Sequence, residues 1–456
     1  MSDKRPNILL IFPDQHRGDW TELNENIPAR TPNIKKMKEN GVFFSKAYCP
    51  SPLCAPSRAC LASGREYDNC NIINNKQPYP VDETTFYTLL RDSGYHTMAC
   101  GKFDLNKPFS SFGNDGKQVI NGVSYLDLWG FSDGIDNGGK HDGVRTFRNK
   151  EKEMGPYLKY LDDKGLAKKH VRDFIFKNNY TRWLCTPLSD EDYADNWIGR
   201  NGLNLIRSAP EDKPWFLQVN FNGPHEPMDV TRTMRQRWKD VEFPEPSKCT
   251  RFNDRQAQRM RQNYSAMVEN IDRWIGIYIN ELKERDEFDN TIIVYSSDHG
   301  EMLGDHNLKA KRQPYDESSR VPLAISGPGI KHWGIIDDPV ETLDLSATFL
   351  DYARIPTPNY MNSQSIKDFL EGNQDLSRRH ARSGFASWRM VFDGQYKLVA
   401  GYYTSNMKSN QKFKKKEILE APFHLFNLRN DPNENEDIAE SNQDIVQRLR
   451  KLLVIS

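Results

Sequence analysis

The stretch Asn7–Phe12 (Asn-Ile-Leu-Leu-Ile-Phe) is a short continuous apolar run that ends at Pro13-Asp14. A run of this kind predicts a β-strand buried on both faces, as strands are in parallel sheets covered by helices. Thr291–Ser296 and Trp215–Asn220 repeat the pattern, and each leads directly into polar residues. Ligands collect at the carboxyl ends of parallel strands, so we expect the polar residues that follow these three strands to converge.

Helical patterns lie between the predicted strands. Thr31–Asn40 opens with a Thr-Pro pair that suits a helix start. Asp254–Glu284 carries apolar residues at three- and four-residue spacing, which is typical of an amphipathic helix. The predicted fold class is therefore α/β, with a large, mostly parallel sheet flanked by helices. The segment 105–200 is polar and rich in Gly and Asp, and we predict a loop-rich insertion near the functional site.

The pattern changes toward the C-terminus. Arg389–Tyr403 predicts two antiparallel strands around an Asp-Gly turn, and Gln443–Val454 predicts a final amphipathic helix. We interpret the basic segment Lys408–Lys416 as a solvated hairpin loop, and the alternative is that it binds an acidic polysaccharide. These patterns predict an α/β domain over residues 1–375 and a small antiparallel β subdomain closed by a helix over residues 376–456.

The charge balance excludes some partner classes. Lys plus Arg number 63 and Asp plus Glu number 63, so the formal charge of the 456-residue chain is zero. This balance argues against nucleic acid and against an anionic membrane surface, both of which are bound mainly through bulk electrostatics. No apolar run approaches the roughly 18–20 residues of a membrane span. Oligomeric state is left open.

The N-terminus and the cysteines bear on the compartment. The first predicted strand begins after six residues, which leaves no room for a signal peptide. We therefore expect a cytoplasmic protein, or a periplasmic or secreted one if the chain begins at a trimmed mature start. The seven cysteines are scattered and odd in number, so we expect mostly reduced thiols rather than a disulfide framework or paired zinc ligands.

The segment Cys54–Arg65 (Cys-Ala-Pro-Ser-Arg-Ala-Cys-Leu-Ala-Ser-Gly-Arg) carries the chemistry. A proline-broken turn before a helix would place Cys54 at the positive end of that helix, where a thiolate is stabilised. The pattern resembles the signature of the type I, formylglycine-dependent sulfatases of the alkaline-phosphatase-like superfamily. The resemblance implies that Cys54 is oxidised to formylglycine by a formylglycine-generating or an anaerobic sulfatase-maturating enzyme. It also implies an alkaline-phosphatase-like fold.

Further matches follow in the family's order along nearly the whole chain. Asp14-Gln15 and Asp298-His299 resemble the family's two pairs of metal ligands. With Cys54 they imply a divalent cation at the site. Carboxylate and amide oxygens suit calcium, which is our first choice, whereas the imidazole of His299 favours manganese, and magnesium is a further alternative.

Four basic residues resemble the family's catalytic and sulfate-binding groups: Arg58, Lys102, His225 and Lys311. The resemblance implies that the hydrate of formylglycine attacks sulfur while Arg58 holds that hydrate. It further implies that Lys102, His225 and Lys311 bind the sulfate, and that His225 and Lys311 donate a proton to the leaving oxygen. The alternative for each is a surface or ion-paired role.

Asp104 departs from the family's pattern, which usually has His two residues after the lysine. A carboxylate is competent as the base for sulfate elimination if its pKa is raised. The alternatives are that Asp104 caps a turn and that His16 or His306 supplies the base. The combination of Gly-Lys-x-Asp and Asp-His-Gly-Glu also resembles the branch that contains lysosomal glucuronate 2-sulfatase, which hints at uronate 2-sulfates.

These residues predict a sulfuric ester hydrolase acting on a sulfated mono- or oligosaccharide. The alternative is a phosphonate monoester or phosphodiester hydrolase of the same superfamily, and a third hypothesis is a catalytically silent carbohydrate-binding relative. The sulfated sugar, the sulfate position and the choice between exo and endo action are left open. Four residues of the insertion are candidates for a sugar subsite, with ordinary packing as the alternative: Trp129, His141, Arg145 and Trp183.

Overall fold

The structure, a computed structural model, describes residues 4–148, 153–176, 183, 185–403 and 415–453. Within these residues, nine strands form one sheet in the order β10-β2-β9-β8-β1-β7-β3-β6, with β11 paired to β2. The strand pairs are parallel except where β9 meets β2 and β8. The strands are β1 Asn7–Ile11, β2 Gly41–Tyr48, β3 His96–Gly101, β4 Val119–Ile120, β5 Val123–Ser124, β6 Asp133–Asp136, β7 Trp215–Asn220, β8 Thr291–Tyr295, β9 Arg320–Ser326, β10 Gly334–Ile336, β11 Val340–Glu341, β12 Ala381–Phe385, β13 Trp388–Phe392, β14 Tyr396–Ala400 and β15 Phe423–Asn427.

Helices cover both faces of this sheet, and three short 3₁₀ turns (Lys107–Phe109, Phe288–Asn290 and Asp305–Asn307) lie between elements of the described chain. The helices are α1 Pro32–Glu39, α2 Cys54–Ser63, α3 Tyr67–Cys70, α4 Phe86–Asp92, α5 Tyr125–Leu128, α6 Lys140–Arg148, α7 Pro156–Asp163, α8 Ala167–Phe176, α9 Ala194–Ser208, α10 Arg232–Trp238, α11 Asp254–Glu284, α12 Asp316–Ser319, α13 Asp344–Tyr352, α14 Lys367–Leu370, α15 Lys415–Leu419 and α16 Gln443–Arg450. Among the described residues, none of these helices combines the length and apolarity needed to cross a membrane.

Alternation along β1 explains why the sheet has two apolar faces. Ile8 and Leu10 join one hydrophobic cluster, while Leu9 and Ile11 join the cluster on the opposite face. Successive side chains of a strand point to opposite faces of the sheet, so a continuous apolar run contributes buried side chains to both faces. The long helix α11 packs against the second face, and its start is fixed by a capping box between Asn253 and Gln256. The predicted mostly parallel α/β sheet is confirmed.

The segment 105–200 differs from the prediction. In place of a loop-rich insertion, its described residues contain the helices α6, α7 and α8 and the first half of α9. The helices α6, α7 and α8 each bury a few apolar residues, such as Leu158 and Leu161 of α7, against the second hydrophobic cluster. The many glycines and aspartates obscured this spacing, because a short amphipathic helix needs only a few apolar positions.

The C-terminal strands β12–β15 form a four-stranded antiparallel sheet, and the predicted hairpin is confirmed as β13–β14. Val446 and Leu449 of α16 pack on one face of this sheet. Its other face shares a hydrophobic cluster with the main sheet, and the buried Lys397 lies 2.9 Å from Glu434 and contacts Asp316. The domain boundary between residues 375 and 376 stays a prediction. Most of the basic segment Lys408–Lys416 lies outside the described residues.

Candidate active site

Four side chains converge at the carboxyl edge of the main sheet: Asp14, Cys54, Asp298 and His299. One ligand atom of each lies within 4.8 Å of the ligand atoms of the others, and all four residues are buried. Asp14 follows β1, and the pair Asp298 and His299 follows β8. The sulfur of Cys54 is 3.7 Å from Asp14 Oδ1 and 3.4 Å from His299 Nε2. The structure thus brings together residues that are up to 285 positions apart in sequence.

Cys54 is the first residue of α2, and no side chain caps this helix start. The unpaired backbone N–H groups there give the end of the helix a partial positive charge. Burial is the main influence on the thiol and raises its pKa, and the ammonium group of Lys311, 2.9 Å from the sulfur, only partly opposes this. Cys54 is therefore a neutral thiol rather than a reactive thiolate.

The donor set of this cluster fits a divalent cation. His299 donates through Nδ1 to the carbonyl oxygen of Gly300 at 3.0 Å, which leaves Nε2 as a lone-pair donor toward the cluster. The Asp298 carboxylate is oriented by the backbone N–H of Gln15 and by Arg58 Nε, both at 2.9 Å. Two oriented carboxylates and one imidazole nitrogen are ligands that calcium, magnesium and manganese sites use in different proportions.

Gln15 lies at the edge of the cluster. Its Oε1 accepts a hydrogen bond from Lys311 Nζ at 2.9 Å, and its Nε2 donates to the carboxylate of Glu301. The backbone of Gln15 is left-handed, with φ of 76°, and its carbonyl oxygen accepts from Tyr264 Oη at 2.6 Å. These contacts hold the amide beside the metal-ligand candidates, and its role as a ligand stays a prediction.

Lys102 enters the site because β3 ends at a glycine. Gly101 has a φ of 93°, and a Cβ there would lie 2.1 Å from the carbonyl oxygen of Asn220, so a side chain is excluded. The ammonium of Lys102 contacts the carboxylate of Asp14, and burial lowers the pKa of Lys102 to about 8. Arg58 Nη1 donates to the Lys102 carbonyl oxygen at 2.8 Å.

The carboxylate of Asp104 forms ion pairs with two lysine side chains. Its Oδ2 lies 2.9 Å from Lys102 Nζ and accepts a hydrogen bond from Lys107 Nζ at 2.6 Å. Burial alone would raise the pKa of the carboxyl, but the two ammonium groups lower it well below its usual value. A general base would need a raised pKa, so these two ion pairs do not favour that role, and the part that Asp104 plays in catalysis stays a prediction.

His225 lies on the wall of the site and is partly buried. Its Nδ1 is 2.5 Å from the carbonyl oxygen of Glu226, and this contact fixes the ring with Nε2 toward the cavity side. Burial and the nearby ammonium groups of Lys311 and Lys102 hold its pKa well below 6.5, so the ring is neutral before an anion binds. The ring of His141 is 6.4 Å away.

Five of these groups, Asp14, Cys54, Lys102, His225 and Lys311, line one cavity of about 840 Å³, and the others lie behind this lining. The sequence prediction missed several of its lining residues, among them Lys107, Lys140 and Lys309. A weak signal existed for Lys107, because it follows Asp104 by three positions. The lining residues are Asp14, Cys54, Asn75, Lys76, Lys102, Lys107, Pro108, Gly139, Lys140, His141, Asp142, Arg145, Asn222, His225, Glu226, Lys309, Ala310, Lys311, Arg312 and Gln313.

Two of the four sugar-subsite candidates lie elsewhere. Trp129 is 1% exposed within the main hydrophobic cluster, and Trp183 packs near Phe252 with a ring distance of 6.5 Å. Neither of these tryptophans lines the cavity. His141 and Arg145, both on α6, do line the cavity.

The two alternative bases also lie outside the cavity lining. His16 is fully buried, with Nδ1 2.6 Å from Tyr295 Oη and Nε2 2.9 Å from the carbonyl oxygen of Trp20. His306 stacks on Tyr315 with ring centroids 4.1 Å apart. Both rings are held by structural contacts rather than directed at Cys54.

The sheet order, with this site at its carboxyl edge, defines a hydrolase of alkaline-phosphatase-like fold. The sequence model of the Sulfatase family matches residues 6–355, and that of the C-terminal region of N-sulphoglucosamine sulphohydrolase matches residues 304–455. The chain belongs to the sulfatase family, and it is a sulfuric ester hydrolase.

Among its relatives, an arylsulfatase of Clostridium perfringens (strain 13 / Type A) is 28% identical over 489 residues, covering 99% of this chain and 94% of that protein. The phosphonate monoester hydrolase of Agrobacterium radiobacter has a TM-score of 0.78 at 20% identity, covering 98% of this chain and 94% of that chain. A protein solved in complex with its substrate D-glucosamine-2-N,6-O-disulfate has a TM-score of 0.74 at 20% identity, covering 98% and 97%.

Proposed function

We propose that this protein hydrolyses a sulfate ester of a carbohydrate, with the nucleophile at position 54 and a divalent cation beside it. One observation carries the proposal: the Cys54 sulfur lies at the helix start, facing Asp14 and His299, inside a cavity rich in cations. The chemistry needs that arrangement, because sulfate-ester hydrolysis builds negative charge on the sulfate and leaving oxygens.

We propose that Asp14, Gln15, Asp298, His299 and residue 54 hold the cation. Calcium is the first choice, with manganese or magnesium as alternatives, since oxygen donors outnumber the single imidazole. A bound cation of this kind neutralises part of the charge on the ester and orients the nucleophile.

Cys54 is proposed to be the precursor of formylglycine, made by a formylglycine-generating or an anaerobic sulfatase-maturating enzyme. Converted residue 54 supplies a hydroxyl group of its hydrate as the nucleophile. Before conversion, burial raises the pKa of the Cys54 thiol, which agrees with an inert precursor.

The basic residues are proposed to hold the sulfate and the nucleophile. Lys311 Nζ is already 2.9 Å from the Cys54 sulfur, so it can contact both residue 54 and a sulfate oxygen next to it. Lys102 approaches from the side of Asp14. Arg58 is buried, with its Nη2 lacking a hydrogen-bond partner among the described residues, so it has a donor available for residue 54.

His225 is proposed to give the leaving oxygen its proton. The neutral ring must first take up that proton, and a sulfate anion beside it favours the charged form. Since Nδ1 is held by the Glu226 carbonyl oxygen, the transferable proton sits on Nε2. Lys311 is the second proposed donor, and Asp104 is proposed to serve the reaction through its contacts with Lys102 and Lys107.

The cavity also suggests the kind of sugar. A cavity of about 840 Å³ has the size of a small-molecule site, so we propose that it takes the end of a saccharide and that the enzyme acts in exo mode. Its outer lining is mainly basic, which suits an acidic terminal residue such as a uronate or a second sulfate. Five cations and two carboxylates make up this outer charge: Lys76, Lys140, Arg145, Lys309 and Arg312 with Asp142 and Glu226.

Phosphonate monoester or phosphodiester hydrolysis is the second candidate. The structural likeness to the Agrobacterium radiobacter enzyme favours it, and sulfate and phosphonate esters differ more in charge than in shape. A protein that binds sulfated glycans without turnover is the third.

The deciding experiment compares kcat/KM for an aryl sulfate, an aryl phenylphosphonate and a set of sulfated disaccharides, using protein in which formylglycine at position 54 is verified by mass spectrometry. We expect the highest value for a sulfated disaccharide. Faster turnover of the phosphonate would replace the proposal with the second candidate, and binding without turnover would replace it with the third.

A further inference from the structure

The carboxylate of Asp104 contacts two lysine ammonium groups, which neither a turn cap nor a general base requires. Its carboxylate is fully buried, and the single atom Oδ2 binds the ammonium groups of Lys102 at 2.9 Å and Lys107 at 2.6 Å. The second oxygen, Oδ1, is buried without a hydrogen-bond partner among the described residues. The backbone is left-handed, with φ of 57°, a conformation that is uncommon for residues other than glycine, although Asp adopts it more often than most.

Lys107 lines the same cavity as Cys54, Lys102, His225 and Lys311. Its other acidic neighbour, Asp142, has Oδ2 3.7 Å away, beyond hydrogen-bond distance, and Asp142 Oδ1 already accepts from Arg145 at 2.9 Å. Lys102 also contacts the Asp14 carboxylate, but Asp104 Oδ2 is the one hydrogen-bond acceptor that the described residues give Lys107. N–H groups of the Lys107 ammonium thus remain for an anionic oxygen in the cavity.

We propose that Lys107 is a third sulfate-binding ammonium beside Lys102 and Lys311, and that Asp104 is a positioning residue that holds Lys102 and Lys107 toward the cavity. This inference rests on the proposed sulfate-ester hydrolysis and deepens it. Lys107 binds the anion and transfers no proton, and Asp104 acts only through the two lysines.

The electrostatics agree with a binding role. Burial lowers the pKa of Lys107, but Asp104 and Asp142 raise it by more, and the net pKa lies above its usual value. The group is therefore a cation throughout the working pH range, which suits anion binding and does not suit general acid catalysis. An ionised Asp104 is likewise a fixed counter-charge rather than a base.

The first test measures binding of inorganic sulfate by calorimetry to the unmatured Cys54 protein in calcium-containing buffer, which requires no turnover. We expect Lys107→Met to weaken sulfate binding by about 10-fold or more, because a charge-assisted hydrogen bond is lost. Lys107→Arg should recover part of the affinity. Lys117→Met is the matched control, because Lys117 is half-exposed and pairs with Asp133 at 2.9 Å outside the cavity.

The second test separates positioning from base catalysis in the matured enzyme. Asp104→Asn should raise KM and weaken sulfate binding while leaving the pH at which kcat falls on the acidic side unchanged. The double variant Asp104→Asn/Lys107→Met should lose less than the product of the two single losses, since both changes affect one interaction. A base role for Asp104 would instead remove the acidic limb of the kcat profile.

The outcomes separate the two proposals. Unchanged sulfate affinity in a folded Lys107→Met protein would overturn the role of Lys107 alone, and additive losses in the double variant would overturn the positioning role of Asp104. Sulfate binding by the unaltered protein, together with faster turnover of the phosphonate than of any sulfate, would overturn the proposed function while leaving the anion site in place. Thermal unfolding of each variant checks that it is folded. If Lys107→Met does not fold, the sulfate affinity of Lys107→Arg is compared with that of the unaltered protein instead, and an unchanged affinity would overturn the role of Lys107.

Discussion

The floor and the outer wall of the cavity are built in different ways. The floor, defined as Asp14, Cys54, Asp298 and His299, is fully buried and follows directly from β1, β8 and the start of α2. The outer wall, defined as His141, Arg145, Glu226 and Lys309, comes from α6 and from loops, and the Arg145 side chain is 67% exposed. A packed sheet fixes the floor within narrow limits, whereas loops and insertions carry the wall. The contrast teaches that reaction type and substrate preference have separate structural origins.

The largest expected effect comes from the floor. Cys54→Ala should lower kcat/KM by at least about 10⁴-fold for sulfated disaccharides and aryl sulfates alike, because the nucleophile is common to every substrate. Steady-state kinetics on matured protein measures the loss. Cys249→Ala, a partly exposed thiol outside the cavity lining, is the control and should retain full activity. Substantial residual activity in Cys54→Ala would place the nucleophile elsewhere.

A metal ligand on the floor should give the next largest effect. Asp298→Asn should lower activity by about 10²–10³-fold and reduce the bound metal, since one anionic ligand and the counter-charge of Arg58 are both lost. Metal content by elemental analysis, together with activity, is the readout. Asp289→Asn, at the opposite end of β8 and exposed to solvent, should change neither. Full metal content with lost activity would argue that Asp298 orients Arg58 and does not hold a cation.

The same contrast explains how much the sequence predicts. The runs Asn7–Phe12 and Thr291–Ser296 predict buried strands because continuous apolar residues allow few other structures. The floor residues follow those strands, so their convergence was predictable from strand ends and family motifs. The two ion pairs of Asp104 were not predictable from the sequence. They depend on a turn that brings Lys107, three residues after Asp104, against the carboxylate that Lys102 also contacts. The helices of the segment 105–200 were missed because their apolar sides are narrow.

A wall residue should control the pH dependence of binding. Burial, and then the charge of Glu301, raise the pKa of Glu226 to about 7. Below pH 7 the carboxyl is neutral, and above it the wall gains a negative charge that opposes an anionic substrate. We expect KM for a sulfated disaccharide to rise by about 3–10-fold between pH 6 and pH 8. In Glu226→Gln the rise should shrink while kcat changes little. The exposed Glu242 offers the control Glu242→Gln, and an equally steep rise in Glu226→Gln would assign the titration to another group.

The outermost wall residue should have the smallest and most selective effect. Arg145 makes an ion pair with Asp142 at 2.9 Å, and exposed pairs of this kind add about 0–1 kcal/mol, so Arg145→Ala should leave the fold intact. We expect KM for a disaccharide with an acidic second ring to rise about 3–5-fold, because one cation facing that ring is removed. KM for an aryl sulfate, which has no acidic second ring to face Arg145, should stay the same. Arg148→Ala, at the exposed end of α6 and outside the cavity lining, should leave both constants unchanged. An equal rise for both substrates would mean that Arg145 acts on the sulfate itself, and the separation between floor and wall would then fail.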